Sequence, residues 1–501
     1  MPAPSRADEQ PGPNPVTAAR DSCAWQIAGR HVFLVGIGGC GMNGLARMLA
    51  ARGAICSGSD RVPSPLTDAL TADGIAVTFA QDSGELPAQC DLVIASAAVP
   101  GDHPQLQTAT SRSIELIRYA QAIGELMLGR TGVSVAGTHG KSTTVAILAK
   151  VLVDCGYDPS LVVGATCPDL GGGSRTGSER INGSNEPGLL LAEACEFQRS
   201  FHHHHPTVGC ILNVEEDHLD IYGSLDAIVE AFHQFAKLLP AAEDEGYLLI
   251  GHEGAHRTVV AAGLPCKVET IGFSSQADWT VRFDPDSRLI SVSGPDLGEG
   301  RVTHEWPASL PGEHNAYNAA CAAVLAHHFG CEWDRICRSI ESFAGIDRRM
   351  QRLGHRTLAG GGSVVVYDDY GHHPTEVDAT LRALQAHEKP ARLVCVFQPH
   401  QHSRTRFLLD QFATSFSSAD IVIVPHIYFV RDSEAEKHRV SAADLVDRLR
   451  QRGVQAMHIY PFDAIVEQLE NVCRPGDLVV VMGAGPVWQV ARRFLGGKGS
   501  G

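Results

Sequence analysis

Short apolar runs recur along the chain, each closing on glycine or polar residues and each followed by a stretch with helix-forming spacing. HVFLVGI, from His31, is such a run. GGCGMNGLARMLAARG then reads as a glycine turn and a helix, AICSGSD as a second strand, and DLVIASAAV at 91–99 as another. The pattern restarts at 131–156, where TGVSVAGTHGKSTTVAILAKVLVDCG is a strand, a glycine turn and a long helix. GLLLAEA and TVGCILNV are further strands, a less regular β-like part lies near 247–310, and a helix begins near His314. A third restart near 363 brings SVVVYDDY, RLVCVFQPH, DIVIVPHIY and DLVVVMGAG. Alternation of strands with helical segments predicts an α/β chain of parallel sheets. The expected division is a loose Pro-rich tail at 1–25, a Rossmann-like domain at 26–128, a central P-loop ATPase-like domain at 129–346 and a Rossmann-like domain at 347–501. The Gly/Ser-rich stretch at 171–188 reads as a flexible surface excursion.

Composition narrows the classes. The 501 residues are 44% apolar and 20% charged, which fits soluble domains and excludes a disordered polyelectrolyte or a collagen. No apolar run approaches the ~18 residues of a membrane span, and the amino terminus lacks the apolar core of a secretory signal. With 57 acidic against 41 basic residues the formal charge is −16, a poor balance for general binding of nucleic acid or anionic membrane. Any anionic ligand therefore needs a locally positive site. The 14 cysteines are scattered, without CxxC pairs, as small buried hydrophobes of a reducing cytoplasm are.

In open parallel sheets ligands sit at the carboxyl ends of strands, and the unusual polar residues fall there in all three modules. Gly36, Gly38, Gly39 and Gly41 meet the GxGxxG spacing, with Asp60 near the end of the next strand; such a turn lets backbone approach a diphosphate. Gly137-Thr138-His139-Gly140-Lys141-Ser142-Thr143 is shorter than a standard Walker A, yet keeps the backbone N–H groups, the phosphate lysine and the Mg²⁺ hydroxyl. Glu193 and Glu196 follow one strand; Asn213, Asp217, His218 and Asp220 follow the next. Carboxylates and an imidazole beside a P-loop suit a metal ion. The run His202–His205 receives no role. In the third module Asp368, Asp369, Tyr370, His372 and His373 follow one strand and Arg404 and Arg406 the next, which suits a ribose and a carboxylate-bearing substrate. Helix capping by Thr375 or Asp369 is the simpler alternative there.

Taken together, GIGGCGM, SGSD, GTHGKST, EACEFQRSF, NVEEDHLD, LPGEHNAYNAA, DRRM, DDYGHHPTEVDATL and FQPHQHSRTR resemble the Mur ligases, the ATP-dependent amino-acid ligases of peptidoglycan synthesis, over about 30–495. GIGGxGM and DDYGHHPTEV are similar to the member that adds alanine. The resemblance implies that UDP-N-acetylmuramate, L-alanine and ATP are the substrates, with Mg²⁺ as cofactor and Mn²⁺ as an alternative ion. It implies an acyl phosphate formed from the lactyl carboxylate and then captured by the amine of alanine. Residue by residue, it implies that Lys141, Glu193, His218 and His372 serve catalysis, and that Ser142, Glu193 and His218 hold metal, with Glu196 beside them. ATP is expected on 137–143, Asn315, Asn318, Arg349 and Asp369. The sugar nucleotide is expected on Gly36, Gly38, Gly39, Gly41, Met42, Ser59, Asp60 and Ser96, and the amino acid on Tyr370, His372 and Arg404. Ala97 stands where a second serine is common, and Gln401 where arginine is frequent. The implied setting is a cytoplasmic monomer or homodimer that binds neither nucleic acid nor membrane. Three other readings stay open: an NAD-dependent oxidoreductase resting on GIGGCGM alone, a nucleotide-gated binding protein without ligase chemistry, and the sibling ligase that attaches a recycled tripeptide.

Overall fold

The computed structural model describes residues 25–181, 184–295, 301–358, 360–430 and 432–496; the tail expected at 1–25 lies outside the described residues except for Trp25. Five parallel strands form the first sheet: β1 (His31–Val35), β2 (Ile55–Ser59), β3 (Ala76–Thr78), β4 (Leu92–Ala95) and β5 (Glu115–Arg118), in the order β3-β2-β1-β4-β5. The order reverses between β1 and β4, and the glycine turn sits at that switch point. A Cβ added to Gly36 (φ 83°) would lie 3.1 Å from the Cβ of Ser96, which follows β4.

The second sheet comprises β6 (Thr131–Ala136), β7 (Ser160–Cys167), β8 (Gly172–Arg175), β9 (Leu189–Ala194), β10 (Val208–Ile211), β11 (Tyr247–Gly251), β12 (Lys267–Gly272), β13 (Trp279–Asp284), β14 (Leu289–Ser293) and β15 (Thr303–Pro307). Its order is β15-β14-β13-β12-β11-β10-β6-β9-β7-β8. β6 lies between β9 and β10, parallel to both. That adjacency brings the ends of three apolar strands, far apart in the chain, to one rim. The irregular region near 247–310 resolves into β11–β15, where β14 and β15 turn antiparallel.

The third sheet contains β16 (Gln351–Thr357), β17 (Ser363–Asp369), β18 (Leu393–Phe397), β19 (Ile421–Val424), β20 (Gln455–His458) and β21 (Leu478–Met482), ordered β16-β17-β21-β18-β19-β20, with only β16 antiparallel. Of the strands that apolar runs did not predict, β3, β5, β8, β16 and β20 lie at sheet edges and are at most half-buried along most of their length, whereas β7 lies inside the second sheet between β9 and β8. An edge strand needs no continuous apolar run, because only one flank is covered.

The 171–188 stretch is not the free excursion expected. Its residues 172–175 form β8 against β7, and Arg180 and Pro187 pair as a bridge. Its glycines allow tight approach: a Cβ on Gly173 would meet the Ala165 carbonyl oxygen at 2.8 Å, and one on Gly177 the Asp158 carbonyl oxygen at 2.1 Å. The same stretch lies against helix Cys40–Ala51 of the first domain, where a Cβ on Gly44 would stand 2.3 Å from that of Ser174.

The seam between the first two domains is apolar. Met48, Leu49, Leu126 and Met127 join Val162, Leu190 and Ala192 of the central sheet in one buried cluster. The histidine run belongs to this seam: His204 is buried with its Nδ1 2.9 Å from Ser134 Oγ, and the His203 carbonyl packs on Gly124. Among the described residues no helix is long and apolar enough to cross a membrane. A Cβ on Gly124 would sit 1.9 Å from the His203 carbonyl oxygen, whereas one on Gly360 meets nothing within 4 Å. Gly124→Ala is therefore expected to cost about 1–3 kcal/mol through overpacking and to lower the urea midpoint, with Gly360→Ala as the near-neutral control.

Candidate functional site

The loop after β6 is shaped by two glycines in backbone regions that side chains rarely enter, Gly137 at φ 141° and Gly140 at φ 85°. Gly140 has a second constraint, since a Cβ there would sit 2.4 Å from Asn318 Oδ1. Helix Lys141–Asp154 begins directly after it, so the loop ends on a helix N-terminus whose first N–H groups lack intrahelical partners. Asn213, after β10, ties the loop from behind: His139 N–H donates to its Oδ1 at 2.8 Å, and its own Nδ2 donates to the His139 carbonyl at 3.2 Å. Thr138 Oγ1 accepts from Glu215 N–H at 2.9 Å. Ser142 and Thr143 are buried in the first helical turn.

Lys141 bends back on its own loop. Its Nζ donates to the carbonyls of Gly137 and Thr138 and reaches Glu196 Oε2 at 2.9 Å. Burial alone would disfavour the ammonium, but Glu196 overrides it and holds the lysine pKa above its ordinary value. Glu196 also lies in a cluster with Asp217 and His218, one ligand atom of each within 4.8 Å of the others. His218 adopts φ 52° at the start of the short helix Leu219–Tyr222, its ring edge-on to Phe197 at 5.0 Å. Burial pushes its pKa down, so the imidazole is neutral, and its buried Nδ1 has no hydrogen-bond partner.

The third domain closes over this rim. Arg404, in helix His402–Phe407, donates from Nε and Nη2 to Asp217 Oδ1 at 3.0 and 2.9 Å, with both side chains buried. Burial would raise the Asp217 pKa; Arg404 holds it far below the usual carboxylate range instead. A second junction surrounds His139, which lies 3.5 Å from Glu215 and 3.2 Å from Glu376. Burial disfavours its charge, yet the two carboxylates hold its pKa up at about 9; in turn His139, against the effect of burial, holds the Glu215 pKa down at about 2. The His373 ring lies tilted at 45° to that of His139, 4.7 Å between centres, and approaches the Glu216 carbonyl at 3.0 Å, while Thr375 Oγ1 donates to Glu215 at 2.7 Å.

Helix Pro374–Glu388 is capped by His373 with Glu376 reaching back, rather than by Thr375 or Asp369. Asp369 instead clamps backbone, accepting from Met350 N–H and Gly371 N–H, both at 2.7 Å; burial lifts its pKa to about 6. The guanidiniums of Arg348 and Arg349 each lie 5.0 Å from the Tyr370 ring centre. Arg349 also reaches Glu376 at 3.5 Å. His372 is half-buried, its pKa pushed down to about 3 by desolvation, and it packs beside His400. Asn315 and Asn318 lie buried on one face of helix Glu313–His328, Asn315 donating to the Pro311 carbonyl at 2.8 Å.

Several expected contacts are spoken for inside the protein. Glu193 Oε1 accepts from Gly164 N–H at 2.7 Å, and the group around His218 contains Glu196 and Asp217 rather than Glu193. Arg404, expected at an amino-acid carboxylate, holds Asp217. In the first domain Gly38 N–H donates to Asp60 Oδ2 at 2.7 Å, so Asp60 closes the glycine turn; a Cβ on Gly38 would strike that carboxylate at 2.8 Å. Gly41 abuts the Tyr119 hydroxyl, Ser59 donates to Gln105 at 2.7 Å in the interior, and the Met42 side chain is buried in the core. Gly39 opens the helix, and Ser96 Oγ accepts from Ala98 N–H at 3.3 Å. The sequence analysis gave no role to Glu215 or Glu376, because only the docked domains place both acids on His139.

Three successive family descriptions match the chain: "Mur ligase family, catalytic domain" at 31–131, "Mur ligase middle domain" at 135–326 and "Mur ligase, glutamate ligase domain" at 348–485. A protein of Caldanaerobacter subterraneus subsp. tengcongensis named UDP-N-acetylmuramate–L-alanine ligase is 34% identical, covering 93% of this chain and 97% of the relative. One of the same name from Solidesulfovibrio magneticus is 36% identical, covering 93% and 98%. The crystal structure of UDP-N-acetylmuramate–alanine ligase from Thermotoga maritima shares the fold, with TM-score 0.73 at 23% identity over 93% of this chain and 98% of that one. A murein peptide ligase from Psychrobacter arcticus superposes with TM-score 0.70 at 25% identity, again over 93% and 98%. With all three modules matched in order and relatives aligned along nearly its whole length, the chain belongs to the Mur ligase family.

Proposed function

We propose that the chain joins the lactyl carboxylate of UDP-N-acetylmuramate to the amine of L-alanine at the expense of ATP, releasing ADP and phosphate. The observation that carries this reading is the convergence on one rim of Lys141 and its glycine loop, the Glu196–Asp217–His218 group, and Arg404 and His372 of the third domain. Curated relatives with the alanine-adding name support it over the tripeptide-adding sibling. An oxidoreductase reading leaves that entire rim without a task.

A carboxylate is a poor acyl donor, and phosphorylation gives it a leaving group. The carboxylate oxygen attacks the γ-phosphorus and the bond to the β-bridging oxygen breaks. The alanine amine then attacks the acyl carbon, phosphate departs, and a proton leaves the nitrogen. Catalysis here consists of positioning and charge stabilisation. The loop N–H groups and Lys141 would hold the phosphates once Lys141 exchanges Glu196 for them. Asn315 and Asn318 would frame the nucleotide beside Gly140. Arg404 would take the alanine carboxylate by exchanging Asp217 for it, with the uncharged His372 beside His400 lining the same place.

Mg²⁺ fits the Glu196–Asp217–His218 group better than the His139–Glu215–His373 group. The first offers two carboxylates and a neutral imidazole with an unpartnered buried nitrogen; in the second, two carboxylates hold the His139 pKa at about 9, so a cation would first have to displace its proton. Bound there, the ion would neutralise phosphate charge. Ser142, at the start of the neighbouring helix, and Glu193 complete the surroundings.

Phosphate release is expected to require Mg²⁺, UDP-N-acetylmuramate and L-alanine together, because the site is assembled from separate domains; a coupled phosphate assay with single omissions checks this, and rapid turnover without acceptor would indicate a plain ATPase. Mass spectrometry of the product, with candidate amino acids supplied singly, tests the choice of alanine. Glu196→Ala and His218→Ala are each expected to lower kcat roughly 10²–10³-fold, and the double variant to be little worse because the groups act as a unit. Glu193→Ala is expected to be milder in the same steady-state assay.

A further inference from the structure

A cavity of about 240 Å³ lies on the far side of the central sheet, where the first and second domains meet. Arg130 stands at the amino end of β6, whereas the phosphate loop follows its carboxyl end. At about 3.3 Å per residue, the cavity is roughly 20 Å behind the loop. Its walls are Met48 and Arg52 of the first domain, Leu126 just ahead of the linker, Leu190 of β9, and Ser178 and Glu179 of the 171–188 stretch. That stretch has no part in the site described above.

The polar end of the cavity is built and under-neutralised. Arg130, 6% exposed, donates to Ser160 Oγ at 2.7 Å and the Ser178 carbonyl at 3.3 Å, and reaches Glu179 Oε1 at 3.4 Å. Arg52 Nε donates to that same oxygen at 2.9 Å, while its buried Nη1 has no hydrogen-bond partner. Two guanidiniums thus converge on one carboxylate oxygen, and that carboxylate belongs to a side chain 65% exposed. Burial, then the charge of Arg52, pushes the Arg130 pKa down, the direction expected of a cation short of compensation. The opposite wall is apolar, with Met48, Leu126 and Leu190 each buried.

We propose that this cavity binds a small aliphatic carboxylate, its head on the Arg52–Arg130 pair and its chain along Met48, Leu126 and Leu190. Planar guanidiniums match a carboxylate in shape and donor number. Two arginines and one glutamate leave a single positive charge, which a monoanion neutralises and a phosphate dianion would overshoot. The exposed Glu179 can turn to solvent as the ligand enters, whereas Arg130 is held by Ser160 and the Ser178 carbonyl.

The test is a titration of the full chain with hexanoate at constant ionic strength, followed by ligand-observed NMR, with hexanol as the uncharged control. Saturable binding of hexanoate and much weaker binding of hexanol are expected. Arg52→Gln should weaken hexanoate about 10-fold or more, the scale of a charge-assisted pair. Glu179→Gln, which removes the competing carboxylate, should tighten it about 3-fold. If Arg52→Gln proves unfolded by circular dichroism, Glu179→Gln at its exposed position decides alone. Absence of saturable binding, equal binding of hexanol, or an affinity indifferent to the folded variants would overturn the assignment.

Discussion

Charge buried between domains is the constraint on which the rest of the cleft depends. Asp217 and Arg404 are 187 residues apart in the chain, come from different domains, and are both almost wholly buried. Removing such groups from water costs several kcal/mol per ion unless each finds a partner with good geometry. The same holds for Lys141 against Glu196 and for His139 between Glu215 and Glu376. The third domain thus rests on the second through matched charge, Arg404 on Asp217 and Glu376 on His139, while Lys141 and Glu196 pair within the second. Ligands that carry phosphate and carboxylate groups offer equivalent partners, so on the proposed function substrate binding would be an exchange of ion pairs rather than the filling of an empty site.

That exchange is possible because the backbone underneath is rigid. β6 lies between β9 and β10 in parallel register, so the polar residues following three apolar strands share one edge. Gly140 adds a local requirement: its positive φ and the proximity of Asn318 leave no room for a side chain. The phosphate loop thus has its shape before any nucleotide arrives, which reduces the ordering cost of binding.

The first domain is attached differently. Its contact with the central sheet is a shared apolar cluster, reinforced at the margin by Arg52, Arg130 and Glu179. Hydrophobic contact is non-directional, whereas ion pairs demand register. The two seams consequently differ in kind: the first domain is joined by packing, and the third by matched charge.

Much of this was legible in the chain itself. Central strands are buried on both faces and must be apolar throughout, so HVFLV, TGVSVA, LVCVF and LVVVM announced themselves, as did the glycine turns that follow the first two. Edge strands such as β5 and β16 carry no such run and were silent. The motif residues reached the expected rim, because each is fixed to a strand end by its position in sequence. Which atoms they touch was decided only by the tertiary structure. Glu196, rather than Glu193, meets Lys141 and His218. Asp60 bonds its own glycine turn, and 171–188 docks as a strand and a wall. Local sequence determines where a strand ends and what chemistry stands there. The partners of a charged side chain depend on elements hundreds of residues away, and only the packed domains bring those within hydrogen-bond distance.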